Sequence, residues 1–301
     1  MPPPAPPLAL FDRALLARRL DRALRAGARD AGANFLLRRA AEELSERLSL
    51  VSRVFPRAAD VGSPGPEAAL ALAERAGAEL TVRLAPTALS AGEGGFLRVV
   101  GDFELLPLAP QSLDLVVSLL ALHHANDLPG ALIQLRGALK PDGLMLAALI
   151  GGETLTELRQ CLTIAESEVT GGAAPRVAPF ADVRALGGLL QRAGFALPVV
   201  DSDRVVVRYP DLTALMRDLR AFGAANAMFA RSRTPLRREV FARAQAIYAE
   251  KFADPDGRLR ATFETLWASG WAPHASQPKP LKPGSAAMRL EDALKAAREA
   301  E

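Results

Sequence analysis

The sequence predicts a doubly wound α/β fold: a mostly parallel, seven-stranded sheet with helices on both faces and a helical cap inserted before the last strand. Three observations carry this expectation. Short apolar runs alternate with helix-period segments through the first half of the chain, the order that builds a parallel sheet covered on both faces. The first run ends in Asp60-Val61-Gly62 and is followed by a turn containing Gly65; glycines at that point let backbone approach a ligand. The second half holds two helix-period stretches with no strand between them, which places them as a cap between the sixth and seventh strands.

Each element has a local reason. Residues 34–50 carry apolar side chains at helical spacing (Phe35, Leu36, Leu37, Ala40, Ala41, Leu44, Leu48) with charge on the opposite face. Residues 58–62 form the first strand, and 67–76 a helix that Gly77 closes. The second strand is expected at 80–84, the third at 96–100 and the fourth at 113–119, nearly all apolar as buried parallel strands are. A helix over 128–139 stops at Lys140-Pro141-Asp142-Gly143, a turn by composition, before a fifth strand at 144–150. A helix over 182–192 precedes Gly194 and an extended segment at 195–209; helices at 212–222 and 236–252 lead to a last strand at 261–271. The corresponding boundaries are a proline-rich stub and lead-in helices over 1–50, a main domain over 51–272 with its cap at about 210–255, and a proline-rich tail with a terminal helix over 273–301.

Composition narrows the partners. Half of the residues are hydrophobic, so 301 residues can bury a sizeable core. The net charge of +3 is the small remainder of 37 basic and 34 acidic residues, and no basic run is interleaved with aromatics, which argues against a nucleic-acid partner. No apolar run approaches the ~20 residues of a membrane span. Cys161 is the single cysteine, so neither an internal disulfide nor a thiolate metal cluster is expected, and a reducing compartment is the default. The arginines at 13, 18, 19, 22, 25 and 29 resemble the basic face of a transit peptide, but Asp12, Asp21 and Asp30 interrupt them. An amphipathic helix that opens the folded domain is the expectation. The location follows as the cytoplasm of a bacterium, or the mitochondrial matrix for a eukaryotic source.

Collinear short runs then carry a family resemblance. After the Asp60-x-Gly62 loop come Gly101-Asp102, Leu106-Pro107, Leu113-Asp114-Leu115-Val116-Val117-Ser118 and Leu139-Lys140-Pro141-Asp142-Gly143. With Leu10-Phe11-Asp12-Arg13, Leu122-His123-His124-Ala125-Asn126-Asp127-Leu128-Pro129, Gly151-Gly152-Glu153-Thr154-Leu155, Glu157-Leu158-Arg159, Arg192-Ala193-Gly194-Phe195, Gly270-Trp271 and Ser276-Gln277, they span about residues 10 to 285. The series resembles class I S-adenosylmethionine-dependent methyltransferases with a Rossmann-like fold. Within them it is most similar to the branch of complex I assembly factors described as arginine hydroxylases, with its bacterial relatives, and is related to the biotin-pathway malonyl-carrier methyltransferases.

The resemblance implies S-adenosylmethionine as cofactor, with Asp60, Gly62, Ser63 and Gly65 at its methionine end. Asp102 would accept from the adenine amino group with Phe103 beside the ring, and Ser118, Leu119 and Leu120 would face the transferred group. Two departures weaken that site. Pro64 and Pro66 stand where the family has glycines, and proline offers no backbone N–H. Arg83 stands where an acidic residue would accept from the ribose hydroxyls; arginine is a donor only. Arg83 is therefore either a ligand contact of altered kind, suited to a different anion, or an exposed arginine at a strand end.

Other chemistries find less support. His123, His124 and Asp127 are the types of an iron triad, but adjacent histidines point apart, and structural or capping roles are expected. Gly62-Ser63-Pro64-Gly65 is not a nucleophile elbow, and Asp254, Asp256 and Gly257 read as a turn rather than a calcium loop. Met216, Phe222, Met228 and Phe229 suit cap packing or the roof of an apolar pocket. Arg231, Arg233, Arg237 and Arg238 suit a solvated face or a dock for an acidic partner. Trp267 and Trp271 are expected to anchor the last strand. The resemblance thus implies methyl transfer to an unnamed small-molecule or carrier-bound acceptor. One alternative is a non-methylating role in respiratory complex I assembly, by hydroxylating a protein arginine or binding a client subunit; another is methyl-ester formation on an acyl-carrier protein. No catalytic base is identified, and no metal site is expected.

Overall fold

The computed structural model describes residues 9–27 and 34–278; the expected stub over 1–8 and the terminal helix beyond 278 lie outside them. Seven strands form one sheet in the order β3-β2-β1-β4-β5-β7-β6. They are β1 (Arg57–Val61), β2 (Leu80–Ala85), β3 (Leu97–Val100), β4 (Leu113–Leu119), β5 (Leu139–Ile150), β6 (Ala196–Tyr209) and β7 (Leu259–Trp271). The first five run parallel, while β7 is antiparallel to both β5 and β6. The chain leaves β1 toward one edge and returns at β4 toward the other, so a crevice opens between them at the strands' carboxyl ends.

Helices cover both faces. On one, Leu132 and Leu135 of α5 (Leu128–Ala138) and Leu186 and Leu190 of α7 (Val183–Arg192) pack on Val116, Met145 and Leu266. On the other, Leu44 of α2 (Phe35–Ser49) and Leu72 of α3 (Glu67–Arg75) pack on Leu115, Leu146 and Trp267. A third cluster joins α6 (Thr156–Thr170), α8 (Leu212–Ala221) and α9 (Arg238–Phe252) to Phe263 of β7. The last two helices are the expected cap between β6 and β7. Asp127, Asp182 and Asp211 each accept a backbone N–H three residues on and so cap α5, α7 and α8.

Three details differ from the sequence reading. The expected turn at 140–143 is absorbed into β5 as an irregularity: the pairing with β4 shifts register there, and Asp142 has φ +64°. Helix α6 was not anticipated, because it starts without a side-chain cap from Leu155 at φ +55°. The last strand begins at Leu259, two residues before the expected 261. Trp267 is buried and carries the Arg47 guanidinium 4.6 Å from its ring centroid, and Arg53 lies 5.2 Å from that of Trp271. Both tryptophans therefore anchor β7, as expected.

Candidate functional site

A cavity of about 940 Å³ occupies the crevice between the sheet and the cap. Its roof is a strap of residues 10–13 leading into α1 (Arg13–Gly27). Phe11 exchanges hydrogen bonds with Asn126, donating at 2.8 Å and accepting at 3.0 Å, and pairs with Met228. Asp12 donates through its backbone to Ala227 and accepts from the Leu15 N–H, capping α1. Arg19 donates to the Ala225 and Asn226 carbonyls. The arginine-rich opening segment is thus the lead-in helix that the interrupting aspartates suggested.

The predicted cofactor residues separate into two groups. Gly62, Gly65, Phe103 and Leu120 line the cavity. Asp60, Ser63, Arg83, Ser118 and Leu119 lie behind its wall, each essentially without exposure. Parallel pairing of β1 with β2 sets Asp60 beside Arg83. The two form a fully buried ion pair. Arg83 also donates to three carbonyls: Nε to Ala91 at 3.0 Å, Nη2 to Ser63 at 2.9 Å and Ser90 at 2.7 Å. The exposed strand-end arginine is corrected by this geometry, since a planar fork with an internal acceptor in each direction needs neither water nor ligand. Burial pushes the Asp60 carboxyl up, and the Arg83 charge pulls it back. The Ser63 hydroxyl accepts from the Leu119 N–H at 2.9 Å and ties the loop to the end of β4.

At the other end of the crevice, Asp102 and Phe103 have Arg13 as their partner. Its Nη1 lies 2.6 Å from Asp102 Oδ1 and also contacts Glu104. Its guanidinium carbon sits 4.0 Å from the Phe103 ring centroid, a cation–π contact. Asp102 Oδ1 accepts from the Glu104 N–H at 2.7 Å, and Glu104 Oε1 from the Asp127 N–H at 2.7 Å, so both carboxylates are held. Sequence reasoning missed Arg13 and Glu104 as members of the site. The signal for Arg13 was its place in the Leu10-Phe11-Asp12-Arg13 run.

His123 and His124 follow β4 in a single 3₁₀ turn; contrary to the expectation that they point apart, their ring centroids are 4.1 Å from each other and both line the cavity. Phe11 packs edge-on to His124 at 5.2 Å and Phe180 to His123 at 5.5 Å. Burial, reinforced by Arg13, lowers His124 to about 4, and burial with the neighbouring imidazole takes His123 well below its ordinary value. Both rings are neutral at physiological pH. Asp127 caps α5 and does not join them. Arg231 is not part of a solvated face: it donates to the Met228 carbonyl at 2.8 Å, approaches Asp12 at 3.6 Å and lines the cavity with Arg233. Asp254 and Asp256 pair with Arg208 around the Gly257 turn, as expected of a turn.

These residues meet S-adenosylmethionine unevenly. Gly62 has φ +80°, and a Cβ there would lie 2.9 Å from Phe103 Cδ1 and 3.2 Å from Ala121 Cβ, so the close approach that a glycine allows is already filled. Its N–H donates to the Leu84 carbonyl at 2.8 Å. The Glu67 carboxylate folds over Gly65, and Pro64 and Pro66 have no N–H to give. Arg83, where the resemblance implies a ribose contact, is a donor engaged by Asp60 and the Ser63, Ser90 and Ala91 carbonyls. The adenine end has suitable residue types, engaged by Arg13. The arrangement does not fit the cofactor at its methionine and ribose ends.

A model of the methyltransferase domain family matches residues 59–147. The chain is 40% identical over 273 residues to the protein named "Arginine-hydroxylase NDUFAF5, mitochondrial" of Danio rerio, covering 87% of this chain and 83% of that protein. It is 39% identical over 259 residues to the Homo sapiens protein of the same name, covering 85% and 75%. To the malonyl-[acyl-carrier protein] O-methyltransferase of Laribacter hongkongensis it is 37% identical over 265 residues, covering 83% and 86%. Among solved structures, the YcgJ protein of Bacillus subtilis superposes with a TM-score of 0.53 at 13% identity, covering 77% of this chain and 99% of that one. At that identity the likeness is one of fold. The chain belongs to the class I S-adenosylmethionine-dependent methyltransferase superfamily, in the part of it that the arginine hydroxylases and malonyl-carrier methyltransferases share.

Proposed function

We propose that this chain is a non-methylating member of its superfamily that binds a protein client during assembly of respiratory complex I. One observation carries the reading: the chain's own arginines engage the positions where the family contacts its cofactor. Arg83 is fully buried on Asp60 and three carbonyls, and Arg13 is seated on Asp102, Glu104 and Phe103. The relatives at 40% and 39% identity, named as mitochondrial arginine hydroxylases, support the client class. On this reading an arginine-bearing complex I subunit is the partner, in the mitochondrial matrix of a eukaryote or the cytoplasm of a bacterium.

The test is a calorimetric titration of the unmodified chain with S-adenosylmethionine. Weak or absent heat is expected. Tight binding by the unmodified chain would refute the reading. It would favour the second one, cofactor-dependent methyl transfer, for which Asp60 Oδ1 is the specific support: it is buried, has no partner and remains a spare acceptor behind the loop. An acyl-carrier acceptor is the form of that second reading supported by the Laribacter hongkongensis relative.

A further inference from the structure

The cavity has a charge pattern that neither reading uses. Arg13, Arg19, Arg176, Arg220, Arg231 and Arg233 all contribute to its wall, and among the described residues no aspartate or glutamate does. The rest of the wall is chiefly apolar, with Leu20, Leu37, Phe180, Met216, Phe222 and Phe263 representative. Three of the arginines have their charge balanced from behind, Arg13 by Asp102 and Glu104, Arg176 by Glu166 at 2.5 Å, and Arg231 by Asp12. Arg19, Arg220 and Arg233 have no carboxylate within ion-pair distance among the described residues. Arg19 is partly buried, and its pKa is lowered by burial first and then by the Arg231 and Arg22 charges. Asp12 opposes that shift only in part.

A cavity of about 940 Å³ is at the large end of small-molecule sites. Apolar walls favour a ligand with a long hydrocarbon body, since each part of it removed from water is stabilising. Guanidinium groups without a carboxylate partner in such walls favour an anionic head, because arginine binds carboxylate and phosphate through its planar fork; Arg220 and Arg233 are both exposed, so a head that they hold stays on the solvent side of the cavity. The same field repels a cationic head. We propose that this cavity binds a single-chain anionic amphiphile, an acyl-type chain ending in a carboxylate or phosphate, with Arg220 and Arg233 holding the head.

Dodecanoate and dodecyl phosphate, below their micelle concentrations, test this on the whole chain by isothermal calorimetry. Dodecanol and dodecyltrimethylammonium carry the same chain with a neutral and a cationic head. The expected result is one site that takes either anion at least about tenfold more tightly than dodecanol, weakening as salt rises. A preference between the two anions tells a fatty-acid source from a phospholipid-like one. Arg220→Gln and Arg233→Gln should each reduce anion affinity about fivefold or more and leave dodecanol unchanged. Neither side chain makes a hydrogen bond or ion pair among the described residues, and a thermal melt of each variant verifies its fold. Equal affinity for anion and alcohol, tighter binding of the ammonium, stoichiometry well above one, or no binding of either anion would overturn the proposal. So would full displacement of dodecanoate by S-adenosylmethionine at comparable concentration, which would assign the cavity to the cofactor.

Discussion

Replacing Arg83 with methionine isolates what the buried pair contributes. The variant keeps most of the aliphatic volume and removes the partner of Asp60 together with the donor to the Ser63, Ser90 and Ala91 carbonyls. Breaking one side of a buried ion pair costs about 3–5 kcal/mol, because the remaining charge is left without solvent or partner. In a domain of this size each kcal/mol moves Tm by roughly 2–4 °C, so a fall of about 6–20 °C is expected. The loss also has a sign in pH. Burial raises the Asp60 carboxyl while Arg83 opposes it; without Arg83 the carboxyl rises further. A carboxyl whose folded pKa exceeds its unfolded value holds more protons when folded, so stability falls as pH rises through that interval. The deficit against the unmodified chain is therefore smaller near about pH 5 than near about pH 8. Urea denaturation at both pH values measures it. The double variant Asp60→Asn/Arg83→Met should recover part of the loss, since the orphaned charge is gone. A deficit under about 1 kcal/mol at the higher pH, or one that grows on acidification, would refute the claim that Arg83 is an internal structural partner.

Acidification should destabilise the unmodified chain through its buried imidazoles. Unfolded histidine takes a proton near about 6.5, whereas folded His124 waits until about 4 and His123 is also well depressed. Between those values the unfolded state binds more protons, so stability is present above about 6.5 and is lost as pH falls toward 4. The His124 part alone is about 3 kcal/mol, and melting curves of a His123→Gln/His124→Gln variant should lose most of the slope; an unchanged slope would place its origin elsewhere. Gly62→Ala should cost about 1–3 kcal/mol from the left-handed backbone alone, with the Phe103 contact added. A calorimetric loss below about 0.5 kcal/mol would mean that the loop relaxes freely.

The architecture was legible because it rests on periodicity. Strand and helix alternation, the apolar run of β4 and the cap between the last two strands all follow from which residues must leave water. Helical spacing placed α5, α7 and α8 within a residue or two, and the structure adds their capping aspartates. Helix α6 escaped because its first turn has no capping residue and follows a left-handed leucine. At the site, Gly62, Gly65 and Phe103 line the cavity, which local residue type on a loop can suggest. What was not readable was the direction in which a long polar side chain turns. Arg83 is charged, sits near a strand end and could have faced solvent; only the register of β1 with β2 brings Asp60 beside it. Arg13 is separated by 91 residues from Glu104, and no local pattern announces that contact.

Arg13, Arg83 and Arg231 share a property that the sequence left open, with Arg13 in a lead-in helix, Arg83 between an altered ligand contact and an exposed strand end, and Arg231 between a solvated face and a dock for an acidic partner. Arg13 and Arg231 line the region that a doubly wound sheet leaves open at its switch point, and Arg83 lies behind its wall, where carbonyls and carboxylates supply acceptors. A guanidinium can take several such acceptors at once without losing its charge, so it can complete a crevice from within. Arg83 does so for Asp60 and three carbonyls, Arg231 for the Met228 carbonyl and Asp12, and Arg13 for Asp102 and Glu104. Their exposure differs in a way that bears on function. Arg83 is sealed, whereas Arg13 and Asp102 retain 20% and 45% side-chain exposure. A ligand that competes for these acceptors can therefore displace Arg13 by a side-chain movement, but it must disrupt the loop to displace Arg83. The end of the crevice near Asp102 is consequently the exchangeable end, and the end near Asp60 is structural.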